Sequence, residues 1–308
     1  MTKCKLCDRK AVVRLEYANM SLCREHFLEY FKRRVRKTLE KYRMVGRGER
    51  VMAAVSGGKD SGVMLDVLAR ISRDAGFTLE ALYIDLGIPG YSSDCLSVVR
   101  ELCERLGVPL RVLDLKEYAG FTVADLMGTV RRVCSACGVV KRYVLNRYAW
   151  EEGFDKVATG HTLDDATQNI LRGIINGDLE TLLRIAPYSP PRGKLVGRIR
   201  PLIEMPEKDI LIYALLRGVP FTTAECPNAR EAKGYALRRA LDLVELESPS
   251  SKKALLTNFL ERIQPLLRGA QERELRECSV CSMPSSAEVC SFCRLRSRIL
   301  VRVGAVGG

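Results

Sequence analysis

From Arg50 to about Arg200, short apolar runs alternate with longer segments of helical period. Val51 to Val55, Leu79 to Ile84, Leu110 to Leu113 and Lys156 to Thr159 have the length of buried strands, and the segments near 62–73, 94–106, 138–152 and 163–175 carry apolar residues at helical spacing. This alternation predicts an α/β fold, a doubly wound parallel sheet with right-handed crossovers. Ligands of such sheets bind beyond the carboxyl ends of the strands. Three stretches fall there: SGGKDS at 56–61, DLGIPG at 85–90 and GHTLDD at 160–165.

Outside this core, Phe27 to Arg43 predicts an amphipathic helix. Phe27, Tyr30, Phe31, Val35, Thr38, Leu39 and Tyr42 share one face, and Lys32, Arg33, Arg34, Arg36, Lys37, Lys41 and Arg43 lie largely on the other. That basic face is either solvated or laid along an RNA backbone. Pro206 to Gly218, Ala232 to Leu246 and Lys252 to Leu267 predict further helices. Residues 186–201, APYSPPRGKLVGRIRP, read as a long basic loop whose Arg192, Lys194, Arg198 and Arg200 would follow a phosphate backbone, with Arg131 and Arg132 adding charge. The tail from Val301 onward reads as mobile. The resulting division is 1–30, 31–48, 49–247 and 248–308: N-terminal finger, linker helix, catalytic domain, and C-terminal helix with a ribbon.

Composition narrows the class. With 308 residues and 47% hydrophobic content, the chain can bury one large or two ordinary cores. No stretch approaches the roughly 18 apolar residues of a membrane span, and MTKCKLCDRK has no signal-peptide apolar region, which predicts a cytoplasmic protein without a membrane partner. A net charge of +13 suits a polyanion. Scarce Asn and Gln beside plentiful Arg and Glu fit a thermophile.

Twelve cysteines in such a chain argue for metal or catalysis rather than disulfides. Cys4, Cys7, Cys23 and His26, as C-x-x-C then C-x-x-H, supply the four ligands of a closed tetrahedral zinc site. Cys278, Cys281, Cys290 and Cys293, two C-x-x-C pairs, predict a zinc ribbon. Cys95 and Cys103 read as packing residues. Cys134 and Cys137 leave one further loop cysteine, Cys226, as partner. Three thiolates suggest an iron–sulfur cluster with one exchangeable corner; disulfide exchange with a persulfide on Cys226, or structural zinc with an outside ligand, are the alternatives.

The apolar run to Val55 ends in Ser56, Gly57, Gly58, Lys59, Asp60 and Ser61, directly before a helical pattern. Two glycines permit a tight turn whose N–H groups, with the helix's positive end, surround an anion. The spacing is neither the Walker motif nor G-x-G-x-x-G. It matches the pyrophosphatase-type loop of enzymes that cleave ATP to AMP and pyrophosphate. Asp164 and Asp165 begin a helix, where carboxylates either cap it or hold Mg²⁺ against a triphosphate. His161 reads as a hydrogen-bonded structural residue.

Taken together, C-x-x-C…C-x-x-H, SGGKDS, CSACGVVKRY, TGHTLDD, AECP and CSVCSMPSSAEVCSFC resemble the tRNA 2-thiouridine synthetases over nearly the whole chain. The resemblance implies a PP-loop ATPase core between two zinc modules, and a 4Fe-4S cluster on Cys134, Cys137 and Cys226 with one iron free to carry sulfide. It implies ATP on Ala54, Ser56, Gly57, Gly58, Lys59, Asp60, Ser61, Ile84 and Gly160, and places Lys141, Asp165 and Asp60 at the reacting centre. It further implies tRNA as substrate and a ubiquitin-like thiocarboxylate protein as sulfur carrier; the oligomeric state stays open, with a homodimer as one option. ATP would adenylate the C2 carbonyl oxygen of a uridine, and sulfur would then displace AMP. LCREHFLEYF, DLGIPGYS and SMPSS favour the T-loop branch, which modifies tRNA position 54; the family often has Asn where this chain has Thr162, and the helix after Asp165 is also similar to the wobble-uridine branch. Two other classes are open: a non-catalytic zinc RNA-binding protein, and an adenylating ligase or amidotransferase on a small molecule. The latter has no glutaminase-like region here.

Overall fold

The computed structural model of the chain describes residues 2–228, 234–268 and 275–306. A hairpin of β1 (Val13–Leu15) and β2 (Met20–Leu22) leads into α1 (Arg24–Lys41). The α/β core then runs β3 (Arg50–Val55), α2 (Lys59–Ala75), β4 (Thr78–Asp85), α3 (Ser92–Leu106), β5 (Leu110–Asp114), α4 (Leu115–Ala119), α5 (Val133–Glu151) and β6 (Lys156–Ala158). It continues with α6 (Leu163–Asn176), α7 (Leu179–Leu183), β7 (Tyr188–Ser189), β8 (Gly197–Ile199) and α8 (Glu207–Arg217). After these come α9 (Tyr235–Glu247), α10 (Ser251–Asn258), α11 (Gln264–Arg268), the hairpin β9 (Arg276–Glu277) and β10 (Pro284–Ser285), and α12 (Ser291–Val306).

The main sheet has the order β5-β4-β3-β6-β8-β7. All pairings are parallel except β7 with β8. From β3 the chain builds outward through β4 and β5, then returns to lay β6 on β3's other side. That reversal opens a crevice at the carboxyl ends of β3 and β6, the switch point where α/β sheets take ligands.

Residues 186–201 are thus not one loop: Tyr188–Ser189 and Gly197–Ile199 extend the sheet, with Arg198 opposite both Val157 and Ser189. Three-residue strands are too short for a period-2 pattern to stand out from the surrounding Pro, Gly and Arg. α5 likewise starts at Val133, five residues before the expected 138, and this puts Cys134 and Cys137 on one face of its first turns. The tail is helical to Val306, while Gly307, Gly308 and the expected helix start at Ala232 lie outside the described residues.

Apolar side chains fill both faces of the sheet. One core joins Leu15, Leu22 and Phe27 of the N-terminal module and Phe31 further along α1 to Val51, Val63 and Tyr213, with the Phe31 and Tyr213 rings 4.5 Å apart. Burying each such ring stabilises by about 2–3 kcal/mol. The other joins Val140 and Val144 of α5 to Cys278, Phe292 and Ile299 of the C-terminal module, with Tyr143 and Phe292 stacked at 3.7 Å.

Several cations expected on a free basic face of α1 are instead struts. Arg34 donates to Tyr17 Oη at 2.7 Å and Glu204 O at 2.9 Å, Lys41 reaches Glu204 at 3.0 Å, and Arg36 reaches Asp74 at 2.5 Å. The helical period placed them opposite the core, but α8 and the segment before it cover part of that face. Among the described residues, no helix is long and apolar enough to cross a membrane.

Candidate active site

The phosphate loop follows from β3. Its last residue, Val55, is buried, and Gly57 turns the chain at φ +80°. A Cβ on Gly57 would lie 2.8 Å from the Cβ of Cys95, so the turn also needs the missing side chain. Ser61 Oγ accepts from Ser56 N at 3.1 Å and donates to Gly58 O at 3.0 Å, closing the loop on itself. Gly58 is the N-cap of α2, so the helix's unpaired N–H groups open at the loop. Gly160, after β6, comes so near that a Cβ there would stand 3.0 Å from Ser61 N.

Lys59 binds Asp60 at 3.2 Å and makes a close pair with Glu207, which also pairs with Arg238. Among the described residues, Asp60 Oδ1 is buried without a hydrogen-bond partner, and burial pushes this carboxyl up, against the pull of Lys59 and with a further push from Asp165. Asp165 sits at N3 of α6 in a capping box. Its Oδ2 accepts from Thr162 N at 2.9 Å, and no partner of Oδ1 exists among the described residues. Asp164 is structural: it is buried, pairs with Lys252 at 2.5 Å and accepts from Glu207 N at 2.7 Å. His161 is exposed at its outer edge and hydrogen-bonds Thr159 Oγ1 at 2.9 Å; water displaced from the ring by its neighbours, and then Arg200, Arg198 and Lys141 against Asp165, hold the imidazole down at about 4.

A cavity of about 280 Å³ unites what the sequence had only in separate pieces. Ala54, Ser56 and Ile84 line it, as do Cys134, Cys137, Lys141 and Cys226. Burial pushes the Cys137 thiol up, Lys141 pulls it back, and Cys226 and Cys134 push it further, so the three sulfurs share one electrostatic neighbourhood. Cys134 Sγ donates to Asn228 O at 3.0 Å. The cavity also includes Leu82 and Asn228, which no motif marked, and Tyr91, whose stretch DLGIPGYS pointed to a family branch and not to a wall of the site; a cavity wall is assembled from side chains far apart in sequence. Arg142 lies within CSACGVVKRY, directly after Lys141, but that stretch gave it no role.

Among the described residues, two groups of four hold their ligand atoms within 4.8 Å of one another: Cys4, Cys7, Cys23 and His26, and Cys278, Cys281, Cys290 and Cys293. Within the first, Cys4 Sγ and Cys23 Sγ each lie 3.4 Å from His26 Nδ1. Despite burial, backbone N–H donors bring Cys4 to about 6, and those of Cys290, Val280 and Cys281 do the same for Cys278. Such convergence of soft donors fits a tetrahedral ion. The middle trio is spread around its cavity, as a cubane cluster, larger than a single ion, would need.

Of the basic residues expected along an RNA path, Lys194 is engaged by Glu277 at 2.8 Å and Ser282 O at 2.9 Å, which fixes it as a strut to the ribbon. Arg131, Arg132 and Arg192 are exposed.

Known proteins share this organisation. A family model described as the PP-loop domain matches residues 27–242, and one described as the N-terminal LIM domain of 2-thiouridine synthetase TtuA matches residues 3–28. The chain is 43% identical to a Thermus thermophilus protein named tRNA-5-methyluridine(54) 2-sulfurtransferase, over 95% of this chain and 90% of that one. A Pyrococcus horikoshii protein of the same name is 38% identical, over 95% and 93%. Among solved structures, the U34-tRNA thiolase NcsA from Methanococcus maripaludis with its 4Fe-4S cluster is similar at a TM-score of 0.83 and 29% identity, over 96% of each chain.

Proposed function

The chain belongs to the PP-loop tRNA 2-thiouridine synthetases of the TtuA type, and from that membership we infer that it replaces the C2 oxygen of a tRNA uridine by sulfur, cleaving ATP to AMP and pyrophosphate. The observation that carries the reading is one cavity lined by both Ser56 of the phosphate loop and Cys134, Cys137, Cys226 and Lys141. The target we propose is the methylated uridine at position 54, because the chain is more alike to the position-54 enzymes than to the U34 thiolase.

A urea-like carbonyl oxygen leaves poorly until it carries phosphate. We assign the apolar wall of Ala54 and Ile84 to the nucleoside of ATP, and the loop Ser56–Ser61 with Gly160 to its phosphates. The uridine O2 attacks the α-phosphorus, an O–P bond forms, and the bond to pyrophosphate breaks, its charge held by the loop amides, the start of α2 and Lys59. Sulfur then bonds to C2, the C–O bond breaks, and AMP leaves with the oxygen. Lys141, a helical turn beyond Cys137, offsets the negative charge on the incoming sulfur and on the oxygen that departs with AMP. The orphaned Oδ1 of Asp60 and the unpartnered Oδ1 of Asp165 suit Mg²⁺ brought with the triphosphate.

The trio Cys134, Cys137 and Cys226 would hold a 4Fe-4S cluster, whose fourth iron supplies an exchangeable site for sulfide. The two four-ligand groups would hold zinc as cross-links for the terminal modules, residues 1–30 and 248–308, on either side of the linker helix and catalytic domain. A ubiquitin-like thiocarboxylate protein is the sulfur carrier we propose. A homodimer is supported by the exposed Tyr235, Leu243, Val244 and Leu246 on α9.

The test is anaerobic incubation of the cluster-loaded protein with ATP, sulfide and unmodified tRNA, followed by mass spectrometry of the nucleosides. Thiolated 5-methyluridine and tRNA-dependent AMP are expected. A thiolated wobble uridine alone would replace the target, and AMP release that ignores tRNA would sink the reading.

A further inference from the structure

Beside the cavity, on its β8 side, lies a group of cations that the mechanism above does not use. Arg142 follows Lys141 on α5, Arg198 is in β8, and Arg200 lies just beyond it. Asn146 fastens the two elements together: its Nδ2 donates to Lys194 O and its Oδ1 accepts from Val196 N, both at 3.0 Å. In a crossover unit the helix runs opposite to the parallel strands. From Asn146 back four residues to Arg142 is about 6 Å. From Val196 forward two residues to Arg198 is about 7 Å. Both displacements lead to the carboxyl edge of the sheet, where the cavity opens.

The guanidinium groups gather there; Asp165 acts on His161 alongside Arg198 and Arg200, but among the described residues no ion pair ties a carboxylate to Arg142, Arg198 or Arg200. Enclosure, and then Arg142, lower Arg198; enclosure, and then Arg198, lower Arg200 to about 10. Among the described residues, the side chains of Arg142 and Arg198 have no ion pair or hydrogen bond, and Arg200 donates to the backbone oxygens of Ala186 and Arg184. Like charges gathered in a concave site are destabilising until an anion completes them.

We propose that Arg142, Arg198 and Arg200 form a seat for a backbone phosphodiester of the RNA, beside the nucleotide whose base enters the cavity. This rests on the thiolation reading. The triphosphate of ATP is the other source of phosphate, but β8 lies two strands from β3, about 10 Å away, and the phosphate loop already has its own amide donors. An enzyme that works on a base must hold the extruded strand by its backbone, and forked guanidinium groups suit phosphate oxygens. The seat positions the substrate and is not part of the chemistry.

The experiment is equilibrium binding of unmodified tRNA to the cluster-loaded full chain, by anaerobic fluorescence anisotropy over a range of salt. Arg198→Gln and Arg142→Gln should each weaken binding about tenfold and reduce the salt slope by about one phosphate contact. Arg198→Lys should recover part of the loss. Arg100→Gln, an exposed arginine on α3 across the sheet, should bind as the unaltered chain does, and ATP affinity should not change in any variant. Arg142 is exposed, so its variant keeps the test alive if Arg198→Gln misfolds by circular dichroism. Undiminished tRNA binding by both Gln variants overturns the seat alone. Weaker ATP or pyrophosphate binding with intact tRNA binding assigns it to the nucleotide and overturns the proposal. If the unaltered chain does not bind tRNA, the thiolation reading falls, and the seat with it.

Discussion

Gly57 has two reasons to be glycine, its φ of +80° and the 2.8 Å that would separate an added Cβ from Cys95. Gly57→Ala should therefore cost about 2 kcal/mol in a denaturant melt and slow AMP formation more than tenfold. The loop's role was legible in SGGKDS because a local backbone turn needs only local residues. Arg142 was not, since nothing in KRY says that β8 will stand across from it. His161 gives a prediction in pH. Its folded value of about 4 lies below the ordinary 6.5, so between these values the unfolded chain takes up a proton that the folded chain resists. Stability from this source is complete above about pH 6.5 and is lost as pH falls toward 4. His161→Gln should flatten the decline of melting temperature across that window, and an unchanged decline would assign it to other groups.

At the scale of elements, α5 carries Cys134, Cys137, Lys141 and Arg142 and is held from two sides. Asn146 ties it to β8, and Tyr143 stacks on the buried Phe292 of the C-terminal module. Phe292→Ala should destabilise by about 3–5 kcal/mol and hasten the decay of iron–sulfur absorbance in air. Cys226→Ala should remove that absorbance outright after anaerobic purification, while leaving the zinc content of both modules intact; retained absorbance would shift the third ligand elsewhere. The four parallel strands from Arg50 to Ala158 and the long helices α2, α3 and most of α5 could be read from periodicity, whereas the five-residue α4 and the first turn of α5 could not. β7 and β8 could not, because two or three residues are too few to show a period, and sheet pairing rather than propensity makes them strands.

For the whole molecule, the terminal modules are not appendages. Leu15, Leu22 and Phe27 share a core with β3 and α2, and Cys278 and Ile299 share one with α5. Cys23→Ala should thus lower the single calorimetric transition by about 5 °C or more, rather than melt a separate finger. A distinct low-temperature transition would show that the modules unfold on their own. The sequence by itself determined the layer architecture, the phosphate loop and both four-ligand groups, because periodicity and short spacings confine residues that are neighbours in the chain. Only the tertiary structure decided that Cys226 joins Cys134, Cys137 and Ser56 around one cavity, that Lys194 and Arg34 are struts, and that Arg142 meets Arg198. The physical reason is that these meetings depend on strand order: the return of the chain to β6 and β8 brings together segments about 50 to 170 residues apart, a relation no local spacing encodes.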